Sequence, residues 1–221
     1  MAYDLSLGRL PDPTTPIKGP GFKTQQILPN DPGMIHQLNS GASIGVRFPG
    51  GNFWEIELSY GALTIAQAKP LKNFLYSLQG GFKNFYVSLP IEAYPATGQW
   101  DTNTGATNSI RTTSLSNSID IINWDTISAG GNNLSPGDLI KLSNSNKIYA
   151  ITSTNYGTAS LGTLTVVLNC DVLNPNSIPA ASLEGSILKF RVKLVGGVPA
   201  FRLNSNGLYE PITLSLKENI L

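Results

Sequence analysis

The chain has 221 residues and a net charge of +1, from 15 basic and 14 acidic side chains. Charged residues make up 13%, about half the usual share for soluble domains. That balance leaves no electrostatic footprint for nucleic acid and no basic tail for a membrane surface, and the single cysteine, Cys170, excludes an intrachain disulfide framework.

The length suffices for a sizeable core in one or two domains. With 22 glycines, 15 prolines and many Asn, Ser and Thr residues, the composition suits short strands joined by turns. Low charge fits a subunit packed inside a large assembly, and equally a neutral extracellular β protein. The start, Met1 to Ser6, carries neither a basic nor an apolar leader region. The expectation is a product made in a cytoplasm without a cleaved leader or membrane insertion.

Residues 1–21 carry Pro11, Pro13, Pro16 and Pro20 with Gly19 and Gly21, which reads as an extended N-terminal arm rather than a packed element. Phe22 to Leu28 reads as a strand, and Pro29 to Gly41 as a loop holding the single histidine, His36. Ala42 to Phe48 reads as a strand that turns at Pro49-Gly50-Gly51-Asn52 into the next, so 42–60 reads as a hairpin.

The clearest signals follow. In Phe53–Tyr60, Trp54, Ile56, Leu58 and Tyr60 alternate with Glu55, Glu57 and Ser59, the period of a half-buried strand. Apolar residues at Ile65, Ala68, Leu71, Phe74, Leu75 and Leu78 form a helical stripe. Thr64 suits an N-cap, and Gly80-Gly81 a stop. Pro70 disturbs this helix. Either the helix kinks there, or Pro70 opens it and 64–69 form a separate turn, the reading preferred on sequence. Phe85, Val87 and Leu89 then alternate toward Pro90 as another strand.

Residues 95–137 are rich in Thr, Asn, Ser and Gly, with a strand at Ser118–Ile122 between Trp100 and Trp124. Further strands are expected at Leu139–Leu142, Lys147–Thr152, Leu164–Leu168 and Ser186–Val195, the first two joined at Asn144-Ser145-Asn146. This spacing suits a small β-barrel or roll. Val198–Leu203 and Tyr209–Leu216 read as a hairpin about Asn204-Ser205-Asn206-Gly207. The expected class is mainly β (α+β). Residues 22–97 and 197–221 form a discontinuous domain with one flanking helix, and 98–196 an inserted all-β domain.

Catalytic and ligand-binding constellations are weak. His36 and Cys170 lie in no nucleophile motif, no His/Cys metal spacing occurs, and Gly80-Gly81 closes a helix rather than cradling a phosphate. Glu55 and Glu57 share a strand face about 7 Å apart. They could serve acid–base chemistry on a sugar, but the polar face of a sheet or a subunit contact explains them as well. Asp101, Asp120, Asp125 and Asp138 could hold calcium, yet form no regular ligand loop. Trp100, Trp124, Tyr149 and Tyr156 could stack on a sugar, or be core and contact residues. The expectation is no enzyme, no metal and no cofactor.

Taken together, the Trp54 strand, the 63–80 helix pattern and Phe85-Tyr86-Val87-Ser88-Leu89-Pro90 resemble a known arrangement. So do Pro136-Gly137-Asp138-Leu139-Ile140-Lys141-Leu142, Lys147–Thr152 and the closing Phe201-Arg202-Leu203. The chain over 42–221 is similar to the minor tail proteins of tailed bacteriophages, the distal tail or tail-tip hub (baseplate) family. Pro70 departs from the expected helix, and the arm is not covered. The resemblance implies a β-sandwich or split-barrel-like domain with a flanking helix and an added β-barrel. It implies a structural virion protein without an active site, assembled in the host cytoplasm and located at the tail tip. It further implies a homo-oligomeric, usually hexameric ring that joins the tail tube protein to the hub, baseplate and fibre proteins. Within such a ring Trp54, Glu55, Glu57, Phe74 and Phe85 are the expected contact residues. An alternative is a receptor- or carbohydrate-binding tail module using Trp100 and Trp124.

Overall fold

In the computed structural model, Trp54, Ile56, Leu58 and Tyr60 point into one buried layer, while Glu55 and Glu57 stay exposed. The structure describes residues 7–15, 18–32, 34–37, 43–46, 51–89, 109–111, 116–124, 134–143, 145–156, 162–173 and 188–220. The first strands are β1 (Leu7–Arg9), β2 (Thr24–Asn30), β3 (Met34–Gln37), β4 (Ser43–Val46), β5 (Phe53–Tyr60) and β6 (Leu63–Thr64). Helix α1 (Ile65–Ser77) follows, then β7 (Phe85–Val87), β8 (Ser109–Arg111), β9 (Ser118–Trp124), β10 (Leu139–Lys141) and β11 (Ile148–Tyr156). The chain continues through β12 (Gly162–Leu168), β13 (Phe190–Val195), β14 (Leu208–Tyr209) and β15 (Ile212–Glu218). The fold is mainly β, with α1 as the one helix among the described residues.

Two compact units form. The first comprises Met1–Asn30, Phe53–Ser88 and Lys189–Leu221, the second Asp31–Asn52 and Leu89–Leu188. Residues 31–52, expected with the first domain, thus group with the second unit.

The first unit is a six-stranded sheet in the order β1-β7-β13-β15-β5-β2. Neighbours are antiparallel except β1, which runs parallel to β7. Register places Tyr60 opposite Ile212, Leu58 opposite Leu214 and Ile56 opposite Leu216. Leu216 faces Leu194, and Val192 faces Phe85. Because facing residues share a side of the pleat, these rows make one apolar layer. Pro29 sits in β2, at the sheet edge, where its missing N–H breaks no ladder.

Helix α1 covers that layer. Ala68, Leu71, Leu75 and Leu78 are buried, and Phe74 meets Phe85 edge-on with ring centroids 5.5 Å apart. The helix starts at Thr64, not at Pro70, which corrects the sequence expectation. The Thr64 hydroxyl accepts from the Gln67 amide, and the Gln67 side-chain oxygen accepts from the Thr64 amide, a capping box. Pro70 therefore lies inside the helix. Burying three leucines at about 1.5–3 kcal/mol each outweighs the roughly 3 kcal/mol cost of an interior proline. At the far end Gly81 has φ +92°, and a Cβ there would lie 2.6 Å from the Leu194 carbonyl oxygen, so the turn that stops the helix requires glycine.

Three further expectations are corrected. Residues 42–60 do not form a hairpin: β4 pairs with β3, and β5 with β2 and β15. The 29–41 segment, read as a loop, contains β3 and with it His36, whose side chain lies outside the described residues. Val198–Leu203 forms no strand apart from a single bridge between Leu203 and Tyr209. Instead β14 pairs with β6, tying the Asn204–Gly207 turn to the start of α1. The turn itself is as expected: the Asn204 side chain accepts from the Asn206 and Leu208 amides.

The second unit holds an antiparallel five-stranded sheet, β10-β11-β12-β9-β8, and the β3–β4 pair. Ile119 and Ile121 face Val166 and Leu164 in its core, and Cys170 is buried there. Lys147 is fully buried. Its ammonium donates to the Asn52 carbonyl and lies 5.6 Å from the Tyr149 ring centroid, while the Tyr149 hydroxyl accepts from the Leu173 amide.

Two outcomes test this account. Replacing Pro70→Ala restores a helix hydrogen bond and is expected to stabilise the chain by about 2 kcal/mol in urea unfolding. Lys147→Ala strips the Asn52 carbonyl of its donor and leaves a cavity, and is expected to destabilise by about 3 kcal/mol in the same measurement.

Candidate interaction surfaces

The alternation that buries one side of β5 and β15 turns Glu55, Glu57, Ser59, Thr213, Ser215 and Lys217 to the other. On this open face of the first unit, Ser59 and Thr213 share a hydroxyl–hydroxyl bond of 3.2 Å. The Asn30 amide donates to Glu55 at 2.9 Å. Lys217 stands opposite Glu55, but its ammonium lies 3.7 Å over the Phe53 ring. Glu57 stands between Ser215 and Gln26 and makes no hydrogen bond or ion pair among the described residues. Leu28 and Val195, 48% and 49% exposed, join the two glutamates in lining a shallow depression of about 310 Å³.

The second surface lies on the flank of α1. Ile65, Lys69, Lys72 and Tyr76 follow one another at helical spacing. The β14–β6 pairing brings the 201–209 segment alongside. Tyr76 meets Phe201 at 6.5 Å and Phe201 meets Tyr209 at 5.9 Å, all nearly perpendicular. The Lys72 ammonium lies 5.7, 5.7 and 5.8 Å from the Tyr76, Phe201 and Tyr209 centroids, within cation–π range. Ile65, Tyr76 and Leu203 are exposed here. Sequence reading missed this cluster, because nothing in residues 197–211 signals that they pack against a helix more than a hundred residues earlier.

A third feature anchors the N-terminal segment. Expected to be an unpacked arm, residues 7–15 instead extend the sheet through β1 and bury Leu10, Asp12 and Thr15. Asp12 takes the Arg9 guanidinium at 2.7 Å and the amides of Thr14 and Thr15 at 2.7 and 3.1 Å. The segment closes where Gly19 packs on the Pro11 carbonyl, leaving no room for a Cβ. Tyr60 is fully buried, and its hydroxyl has no hydrogen-bond partner among the described residues. Burial, with the Asp12 charge adding to it, pushes the phenol far above the ordinary tyrosine range.

Of the expected contact residues, Glu55 and Glu57 lie together on the open face. Trp54 and Phe85 are buried and Phe74 is half-buried inside the unit. The Trp54 amide donates to the inward-facing Glu218 carboxylate at 3.1 Å. These three aromatics support the layer beneath the surface. Trp100 and the Trp124 side chain lie outside the described residues. So do Asp101, Asp125 and the Tyr156 side chain. Asp120 accepts from the Thr165 hydroxyl at 2.7 Å and Asp138 from the Ser135 amide at 2.7 Å. Tyr149 is buried. Among the described residues no three His, Cys, Asp or Glu side chains converge on a metal position.

No protein-family model matches the chain. Its sequence is 29% identical over 216 residues to the distal tail protein pb9 of Escherichia phage T5, an alignment covering 96% of this chain and 100% of that protein. The chain is a homologue of a phage distal tail protein. Its role is structural, in a phage tail, as the family resemblance implied. The alignment spans both units. No helix among the described residues is long and apolar enough to cross a membrane.

The buried tyrosine makes a prediction. Its raised folded-state pKa means the folded chain holds the phenolic proton longer than the unfolded chain. That stability is complete below about pH 10 and declines as pH rises beyond it. Tyr60→Phe removes a hydroxyl that has no partner among the described residues. It is expected to change stability at pH 7 by less than about 1 kcal/mol, and to flatten the loss of thermal stability above about pH 10.

Proposed function

We propose that this chain forms a closed homo-oligomeric ring, a hexamer, at the distal end of a phage tail. The observation that carries this reading is the full-length similarity to a distal tail protein. The first unit is the ring body, and the second unit is the module turned to peripheral proteins. The ring connects the tail tube protein to the hub, baseplate and fibre proteins of the virion. Its work is mechanical rather than catalytic. Two exposed, partly apolar surfaces on the first unit support the reading, since a cyclic ring needs two different contact faces on each subunit.

Native mass spectrometry of the purified chain, with negative-stain images of the same sample, tests it. Closed six-copy particles with a central hole are expected. A chain that stays monomeric at high concentration overturns the ring reading.

A further inference from the structure

Lys72 is held in an unusual way. Three rings surround its ammonium, yet it donates no hydrogen bond among the described residues. Ring faces satisfy its charge in part but offer no conventional acceptor to its three N–H groups. Tyr76, Ile65 on the same flank of α1, and Leu203, bridged to Tyr209, are exposed on this surface. The surface therefore presents an oriented cation bordered by apolar side chains. Its complement is a carboxylate bordered by apolar side chains.

The chain carries that complement itself. Glu57 lacks a partner among the described residues and lies beside Leu28 and Val195. Helix α1 covers the buried face of the sheet, whereas Glu57 lies on the open face. One copy cannot bring the two together, so the pairing has to occur between copies. Resting on the ring reading above, we infer that the Lys72 surface of one subunit docks on the Glu57 surface of the next, with Lys72 donating to the Glu57 carboxylate. The two faces differ, so the contact is head-to-tail and repeats around a ring. Removal of both charges from water by the surrounding apolar side chains strengthens their attraction, provided both are present.

Charge exchange tests the inference, read by native mass spectrometry and sedimentation at matched concentration. Lys72→Glu alone and Glu57→Lys alone are each expected to weaken assembly by about tenfold or more. The chain carrying both changes is expected to regain rings. Leu203→Asp, at a side chain already exposed, is the companion variant. It perturbs the same face without touching the cation, and is expected to lose rings while keeping the circular dichroism and thermal midpoint of the wild type. Rings from both single charge variants and from Leu203→Asp, as stable as wild-type rings, overturn the inference and leave the ring reading intact. So does a folded double variant that stays monomeric while both single variants do. Single variants that form rings but fail to enter virions assign the Lys72 face to another tail protein, which also overturns it. A wild-type chain that forms no ring defeats the ring reading first, and is distinguished by that.

Discussion

The pairing of β15 with β5 is the constraint on which the first unit depends. It joins residues 53–60 to residues 212–218 across the length of the chain, and sets Leu58 on Leu214 and Ile56 on Leu216 at the middle of the sheet. A slip of one residue would turn Leu214 and Leu216 to solvent and bring Thr213 and Ser215 inward, so burial pins the register. Every other strand of the sheet is added outward from this pair: β2 on one side, β13, β7 and β1 on the other. The same pairing explains why the chain between 89 and 188 belongs to a separate unit. It leaves the sheet after β7 and must return through β13, beside β7 and β15.

Helix α1 shows how local and tertiary terms are weighed. The capping box at Thr64 and Gln67 starts a helix that Pro70 then weakens, and burial of Leu71, Leu75 and Leu78 keeps it continuous. The helix also serves as a template. The β6–β14 pair at its start fixes residues 201–209 beside it, and this places two rings around Lys72. The resulting surface belongs to no single stretch of sequence. It exists because a C-terminal turn and a helix near residue 70 are fastened at one point.

The two faces of the first unit follow from one alternation. The buried side supplies cohesion, and the open side retains carboxylates, hydroxyls and two exposed apolar side chains. In an ordinary monomer such a mixture needs no partner. In the ring proposed above it supplies contact chemistry, and the low charge of the chain suits a surface that meets protein rather than water. The anchored N-terminal segment adds to the same sheet. Asp12 collects the Arg9 guanidinium and the amides of Thr14 and Thr15, and so fastens the segment on itself.

Period-two and helical patterns alone determined β5, the buried stripe of α1, β9, β12, β13 and β15, because each buries one face and so records its geometry in residue type. The mainly β class was legible for the same reason, since residues 53–90 carry several consistent patterns in succession, whereas the structural tail role was implied by the resemblance to the distal tail family. Tertiary structure alone decided the rest. Which strands pair is a matter of long-range register, so the expected 42–60 hairpin gave way to β3–β4 and β2–β5. Whether Pro70 starts or interrupts the helix depended on burial energy that no local propensity contains. Glu55 and Glu57 were recognisable as surface residues, since alternation exposes them. The Lys72 cluster was not, because its rings come from segments more than a hundred residues apart, and only packing brings them to one cation.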